Sequence, residues 1–198
     1  MKCTASWPTQ AGNELAIEVD HPDYDVNTWR VGASLFQQAD ARYLLIAGAH
    51  RFANGKGESV ESDMARNKKS PFQAAHEAIS RPDLLTLSIH GFTRGKYSPA
   101  INASDVVLSA AAAEVPPVVT TLKNALEAEG ITAGVYDGGA DFRELCGKVN
   151  PQGRYSNKMY GVGRYVHVEI ERAYRQKDTW LPVVSGLGLG LREYFSHQ

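Results

Sequence analysis

Apolar and polar residues recur along the chain with two different periods, which predict strands and helices in turn. Alternation of apolar and polar residues in ELAIEVD (14–20) and, more clearly, in RYVHVEIER (164–172) predicts two strands. The apolar run ARYLLIAGA (41–49) is typical of a strand that is buried on both faces, as in a parallel sheet. Three further runs predict strands: LLTLSIHG (84–91), DVVLSAA (105–111) and TAGVYDGG (132–139).

Helical spacing of apolar residues marks three segments between these strands. NTWRVGASLFQQA (27–39) has this spacing throughout, and SPFQAAHEAIS (70–80) opens with a serine cap followed by proline. VPPVVTTLKNALEAEG (115–130) opens with prolines and stops at a glycine, so a helix is predicted there too. The glycine-spaced GLGLGL (186–191) fits neither period and receives no assignment.

The order of the predicted elements, β-α-β-α-β-β-α-β-β, is that of an α/β protein. No internal repeat or low-complexity linker interrupts it. We therefore predict one domain over residues 1–198, a three-layer α/β/α structure with a mostly parallel or mixed sheet and helices on its faces.

Composition and charge narrow the possible partners. The 198 residues are 43% hydrophobic and carry a formal net charge of −1, so no overall charge favours nucleic acid or an anionic membrane. No apolar run approaches the ~18–20 residues of a membrane span. The first residues show no unbroken apolar segment, so we expect a cytoplasmic protein, or one whose leader was removed. Cys3 and Cys146 are expected to be ordinary thiols.

Two predicted strands end in a histidine. His50 ends YLLIAGAH and His90 ends LLTLSIH, and both are followed by loops with glycines and cations. In open α/β sheets, ligands bind beyond the carboxyl ends of the strands. If the two strands are neighbours, the imidazoles lie within a few ångströms of each other.

Two imidazoles and one carboxylate form a three-ligand set for catalytic zinc, with a fourth position left for water. An acidic cluster after His50 offers three candidates for the carboxylate: Glu58, Glu61 and Asp63. A bound dication would also offset the repulsion within this cluster.

The alternating strand around Glu169 supplies a candidate for proton transfer. His167, Glu169 and Glu171 share one face of this strand, and a carboxylate between apolar neighbours is costly unless it is paired or used. Glu169 is either a general acid/base or the partner of Arg172 or Arg175 in a salt bridge.

The neighbouring residues in the sequence indicate roles for several arginines and for the other histidines. Arg51, Arg94 and Arg172 are candidates to hold a substrate carboxylate, although a surface role is favoured for Arg94. His76 is expected to pack inside its helix, and His21, in DHPD, is expected to be a turn residue.

Taken together, four segments resemble the N-formylglutamate amidohydrolase-like family of zinc hydrolases, which extends to phage poly-γ-glutamate hydrolases and, more distantly, to zinc carboxypeptidases. The resemblance covers about residues 41–175. The segments are AGAHR (47–51), DMARNKKSPFQAAHEA (63–78), LSIHGF (87–92) and HVEIERAYR (167–175).

The resemblance implies a phosphorylase/hydrolase-like fold that binds one zinc ion. It implies His50 and His90 as ligands at the ends of neighbouring strands, with Asp63 as the third ligand, Glu61 as the next choice and Glu58 as the last. The first motif lacks the short His-x-x-Glu spacing of carboxypeptidases, a departure that argues against exopeptidase activity.

The resemblance also implies metal-assisted hydrolysis of an amide with Glu169 as the catalytic carboxylate. Arg51 or Arg172 would orient an acidic substrate, such as an N-acyl amino acid, a γ-glutamyl compound or a peptide. The alternative is a binding domain on the same fold with a degenerate or structural metal site. A serine esterase is disfavoured, because no Gly-x-Ser-x-Gly motif occurs.

Overall fold

A computed structural model describes residues 3–6, 12–55 and 61–197 of the chain. Seven strands in these ranges belong to one sheet. They are β1 (Cys3–Ser6), β2 (Asn13–Val19), β3 (Ala41–Ala47), β4 (Leu85–Phe92), β5 (Val106–Ser109), β6 (Ala133–Val135) and β7 (Tyr165–Glu171). The three-layer α/β/α prediction is confirmed, since helices cover both faces of this mixed sheet.

The helices begin where the sequence supplies caps and prolines. Ser70 caps the second helix through a hydrogen bond from the Gln73 amide, and Asn150 caps the fifth. The helices are α1 (Thr28–Gln38), α2 (Pro71–Ile79), α3 (Pro99–Asn102), α4 (Pro117–Ala128), α5 (Pro151–Tyr160) and α6 (Leu181–Ser196).

The two faces of the sheet differ in chemistry. On one face, the apolar side chains of β2, β4, β5 and β7 pack against α1, α4 and α6 and form the main core. On the other face, below α2 and α5, the central strands carry polar side chains. These are Glu18 of β2, Ser88 and His90 of β4, and His167 and Glu169 of β7. The alternation of each strand therefore sends its polar residues into one layer.

The sheet order is β1-β3-β2-β4-β7-β5-β6. Strands β3, β2, β4 and β7 are parallel, so their carboxyl ends lie at one edge, whereas β5 is antiparallel to β7. The expectation that the strands ending in His50 and His90 are neighbours is wrong, because β2 lies between β3 and β4.

Some elements escape the sequence patterns. The unassigned GLGLGL lies inside α6, where a Cβ on Gly186 would lie 2.9 Å from the Cα of Leu126 and one on Gly190 would lie 3.1 Å from the Cα of Leu122. The glycines thus let α6 approach α4 closely. Helix α5 also went unpredicted, because its polar sequence PQGRYSNKMY shows little apolar periodicity.

A search of the described helices finds none with the length and apolar character to cross a membrane.

Candidate metal centre

The carboxyl ends of β2, β4 and β7 open into a cleft of about 380 Å³. His21 and Asp25 lie in the turn after β2, His90 comes from β4, and His167 and Glu169 come from β7. All five side chains line this cleft. Its position follows from the parallel order β2-β4-β7, which aligns the three strand ends.

His21, Asp25 and His90 form the first group of side chains whose donor atoms could share one metal ion. All three are buried. The Asp25 carboxylate lies 3.4 Å from Nδ1 of His21 and 3.7 Å from Nδ1 of His90. Each residue contributes one ligand atom, and these atoms lie within 4.8 Å of one another.

The hydrogen bonds behind these residues test whether a metal fits. Nε2 of His21 donates to Asp63 at 2.8 Å, and Asp63 also accepts from Arg51 at 2.5 Å. Nδ1 of His21 is buried and has no hydrogen-bond partner among the described residues. A histidine that is held at one nitrogen by a carboxylate and left free at the other is the usual form of a metal ligand. The residues therefore fit a divalent cation.

Charge in this cluster favours a cation. Burial alone would lower the pKa of His90, but Asp20, Asp25 and Glu169 outweigh it and raise the pKa to about 9. Burial would also lower the pKa of His21, yet the neighbouring carboxylates of Asp25 and Asp63 leave it raised. For Asp25, burial is opposed by the two histidines, which hold its pKa well below the usual value. The carboxylates thus stabilise positive charge, whether on protons or on a metal.

A second group of possible ligands shares His90 with the first and adds His167 and Glu169. The rings of His90 and His167 have centroids 4.3 Å apart, and Nε2 of His167 lies 3.1 Å from Oε1 of Glu169. Burial and the neighbouring His90 lower the pKa of His167, which favours a neutral imidazole. Oε2 of Glu169 is buried without a hydrogen-bond partner in the described structure, so it is available to a ligand in the cleft.

His50 lies apart from both groups. Its ring contacts Tyr24 and Phe52, and its Nδ1 accepts a hydrogen bond from the Phe52 amide at 3.1 Å. The structure therefore brings His90 together with His21, and not with His50.

The three carboxylates considered as the third metal ligand also differ in position. Asp63 is buried and hydrogen-bonded to His21 and Arg51, and it belongs to neither of the possible ligand groups. Glu61 is exposed and accepts a hydrogen bond from Asn54, while Glu58 lies outside the described residues. Asp25, which the sequence analysis passed over, is the carboxylate that meets the histidines.

Of the arginines that were expected to hold a substrate carboxylate, the structure places only some at the cleft. Arg51 lines it, but Arg172 is exposed and is not among the lining residues. Arg94 forms an ion pair with Asp105, away from the cleft. Arg66 lines the cleft, is exposed, and shows no side-chain hydrogen bond or ion pair within the described part of the chain.

The sequence contained a signal for the residues that were missed. The strand ELAIEV (14–19) is followed by Asp20 and then by His21, with Asp25 four positions after the histidine. Because β2 is parallel to β4, its end is as suitable for a ligand site as the end of β4. The proline after His21 suggested only a turn.

His76 lies inside α2, where it was expected to pack. Its Nδ1 lies 2.7 Å from Glu18, and its Nε2 lies 3.0 Å from the Ser156 hydroxyl. Although this order resembles a nucleophile, base and acid, all three residues are at most 2% exposed and none lines the cleft. The trio therefore ties α2 and α5 to β2.

Comparisons with known proteins identify the fold. No family model and no curated protein matches the chain. Among solved structures, a bacteriophage poly-γ-glutamate hydrolase matches with a TM-score of 0.64 at 14% identity, over 99% of this chain and 91% of the other. N-formylglutamate amidohydrolase from Ralstonia eutropha JMP134 matches with a TM-score of 0.62 at 16% identity, over 98% of each chain.

A metallo-carboxypeptidase from Burkholderia cenocepacia matches with a TM-score of 0.54 at 12% identity, over 99% of this chain and 62% of the other. These three neighbours are the kinds of protein that the sequence motifs resemble, so the resemblance is confirmed for the fold. The neighbours are hydrolases by name. Because their sequence identities to this chain are low, the likeness concerns the fold alone.

Proposed function

We propose that the protein is a zinc-dependent hydrolase that cleaves an amide bond in a substrate carrying a carboxylate. The observation that carries this proposal is the geometry of His21. Its Nε2 donates to Asp63, whereas its buried Nδ1 has no hydrogen-bond partner among the described residues and lies beside Asp25. The fold neighbours, which include an amidohydrolase and a metallo-carboxypeptidase, support the same class of reaction.

The proposed ligands of one zinc ion are His21, Asp25 and His90. They take the place of the pair His50 and Asp63 that the sequence analysis favoured. Asp63 becomes the residue that orients His21. Zinc in a three-ligand site supplies Lewis-acid chemistry, because it makes water more acidic and polarises a carbonyl group.

Glu169 is proposed as the general base and acid. It lies opposite His90 in the pairing of β4 and β7, and its Oε2 has no competing hydrogen bond among the described residues. Glu169 would take the proton of the attacking water and pass it to the leaving amine. Oε1 remains beside His167, which limits rotation of the carboxylate.

Arg66 is proposed to bind the substrate carboxylate through paired hydrogen bonds, because its side chain lines the cleft with its donors unused by the described residues. Arg51 contributes positive charge beside it but already holds Asp63. Tyr97 also lines the cleft, and burial and Glu169 raise the pKa of its hydroxyl, so it stays a hydrogen-bond donor. N-acyl amino acids and γ-glutamyl amides match this arrangement.

Metal content of the purified, zinc-reconstituted protein tests the ligand set. We expect about one zinc ion per chain in the wild type and in His50→Ala, and loss of zinc in His21→Ala and His90→Ala. Retention of zinc in His21→Ala together with its loss in His50→Ala would restore the ligand set that the sequence analysis favoured.

Hydrolysis is tested separately with N-formyl-L-glutamate and poly-γ-glutamate. We expect the zinc form to release product and Glu169→Gln to keep its zinc while losing about 10²- to 10⁴-fold in rate. Zinc binding with no hydrolysis of these or related N-acyl substrates would instead support the binding-domain alternative.

A further inference from the structure

We propose that Asp20 is a positioning residue that acts through Ser88 to keep the proton of His90 on Nε2 and to leave Nδ1 free for the metal ion. This inference rests on the proposed function for its consequence, although the hydrogen-bond relay itself exists without a metal. The sequence patterns gave no indication of a hydrogen-bond relay among Asp20, Ser88 and His90.

Asp20 occupies the centre of a buried hydrogen-bond chain. It is fully buried at the end of β2, and its Oδ1 accepts from the Ser88 hydroxyl at 3.0 Å. Its Oδ2 accepts from Nδ2 of Asn150 at 3.1 Å. Nε2 of His90 lies 2.9 Å from the Ser88 oxygen but 3.7 Å from Asp20, too far for a direct hydrogen bond.

The direction of each hydrogen bond follows from the groups involved. A carboxylate can only accept hydrogen bonds, so the Ser88 hydroxyl donates its single proton to Asp20. The Ser88 oxygen can then only accept from His90, so Nε2 of His90 carries a proton. The lone pair of a neutral His90 is therefore on Nδ1, the nitrogen that lies 3.7 Å from Asp25.

Asn150 fixes the relay from its other end. Its side-chain oxygen accepts from the amides of Gln152 and Gly153 as the cap of α5, so its Nδ2 must be the atom that faces Asp20. The start of α5 is in this way connected to the metal centre. His21 is oriented in the same way but without an intervening residue, since Asp63 accepts a hydrogen bond directly from its Nε2.

The isosteric variant Asp20→Asn should reverse the relay. The new amide must use its oxygen to accept from Asn150, so its NH₂ group faces Ser88 and donates to it. Ser88 would then donate its own proton to Nε2 of His90, which forces the ring proton onto Nδ1 and blocks the metal. The variant changes no volume, so the effect comes from the direction of hydrogen bonds.

Zinc affinity, measured by competition with a chromogenic chelator, gives the first readout. We expect a loss of about 10- to 100-fold in Asp20→Asn and a smaller loss in Ser88→Ala. The double variant should bind zinc as well as Ser88→Ala does, because removal of the hydroxyl removes the misdirected donor. Thr86→Val, which removes a buried hydroxyl two residues earlier on β4, is the matched control and should be neutral.

If Asp20 acted only through its negative charge or through packing, the double variant would bind zinc no better than Asp20→Asn. That result overturns the relay. The recovery predicted here is a non-additive effect of the kind that double-mutant cycles detect.

The second readout needs neither zinc nor activity. Imidazole ¹⁵N chemical shifts of metal-free protein, at a pH high enough for a neutral ring, should report the proton of His90 on Nε2 in the wild type. In Asp20→Asn they should report it on Nδ1, and in Ser88→Ala a mixture. An unchanged tautomer in both variants overturns the relay. The wild-type tautomer with no zinc binding would leave the relay in place and refute the proposed function.

Discussion

Asp63 accepts a hydrogen bond of 2.8 Å from Nε2 of His21, although 42 positions separate the two residues in the chain. The sequence resemblance suggested Asp63 as a direct ligand of the metal. Its contacts give it a different part, because both of its oxygens are occupied, one by His21 and the other by Arg51. Asp63 thereby determines which nitrogen of His21 faces the cleft.

Replacing Asp63 by alanine should lower zinc affinity by about 10- to 100-fold without abolishing binding, because the ligands remain while His21 loses its orienting partner. Equilibrium dialysis against buffered zinc measures this change. Glu61→Gln serves as the control, since Glu61 is exposed and contacts Asn54 instead. Complete loss of zinc in Asp63→Ala at saturating concentrations would mean that Asp63 is itself a ligand.

Replacing Arg66 by alanine should raise KM for a carboxylate-bearing substrate by about 10- to 100-fold and change kcat little, because a charged hydrogen-bond pair contributes roughly 1.5–3 kcal/mol to binding. Steady-state kinetics separates the two constants. Arg172→Ala, which alters an exposed arginine outside the cleft, should behave as the wild type. An increase in KM for Arg172→Ala alone would favour the assignment made from the sequence.

The buried pair of Glu18 and His76 should make stability fall as pH rises. Burial raises the pKa of Glu18. Burial would lower the pKa of His76, but Glu18 outweighs it and the pKa is raised above 6.5. The native state therefore holds more protons than the unfolded state. The stability that His76 contributes is fully present below pH 6.5 and is lost as the pH rises through the raised pKa of the native state.

Urea denaturation of the wild type and of the double variant Glu18→Gln/His76→Gln, between pH 5 and 9, measures this linkage. The difference in the free energy of unfolding should decrease with pH, by about 1.4 kcal/mol for each unit over which the native state holds one extra proton. A difference that grows with pH would contradict the assigned direction of both pKa shifts.

Gly91→Ala should destabilise the protein by about 1–3 kcal/mol, because a Cβ at this position would lie 2.4 Å from Cζ of Arg175. The guanidinium is unable to move aside easily, since it donates to the carbonyls of Ile170, Val26 and Phe92. Thermal or chemical denaturation measures the loss. An unchanged midpoint would mean that Arg175 adapts without losing these hydrogen bonds.

Much of the fold could be predicted from local periodicity. The alternation in YVHVEIE put His167 and Glu169 on one face of a strand, and β7 does send both into the cleft. The run around LSIH likewise identified the strand that carries His90. Helices with clear apolar spacing and proline starts, such as α2 and α4, were also found. These features depend on neighbouring residues, so the sequence displays them directly.

The proposed ligand set could not be predicted in the same way, because it depends on which strands are neighbours. His50 and His21 both follow strand-like segments, but the apolar run before His50 is longer and made that strand end the more prominent candidate. The pairing of strands is made by backbone groups that are alike in every residue, so periodicity reports the face of a side chain and not its neighbour across the sheet.

The sequence by itself determined most of the elements, the α/β class, and the placing of His90 and Glu169 at the carboxyl edge of the sheet. Only the tertiary structure decided that β2 lies between β3 and β4, and therefore that His21 and Asp25 meet His90. The physical reason is that burial of the apolar face fixes the stacking of layers. The order of strands then brings together buried charges that are stable only as partners or as ligands.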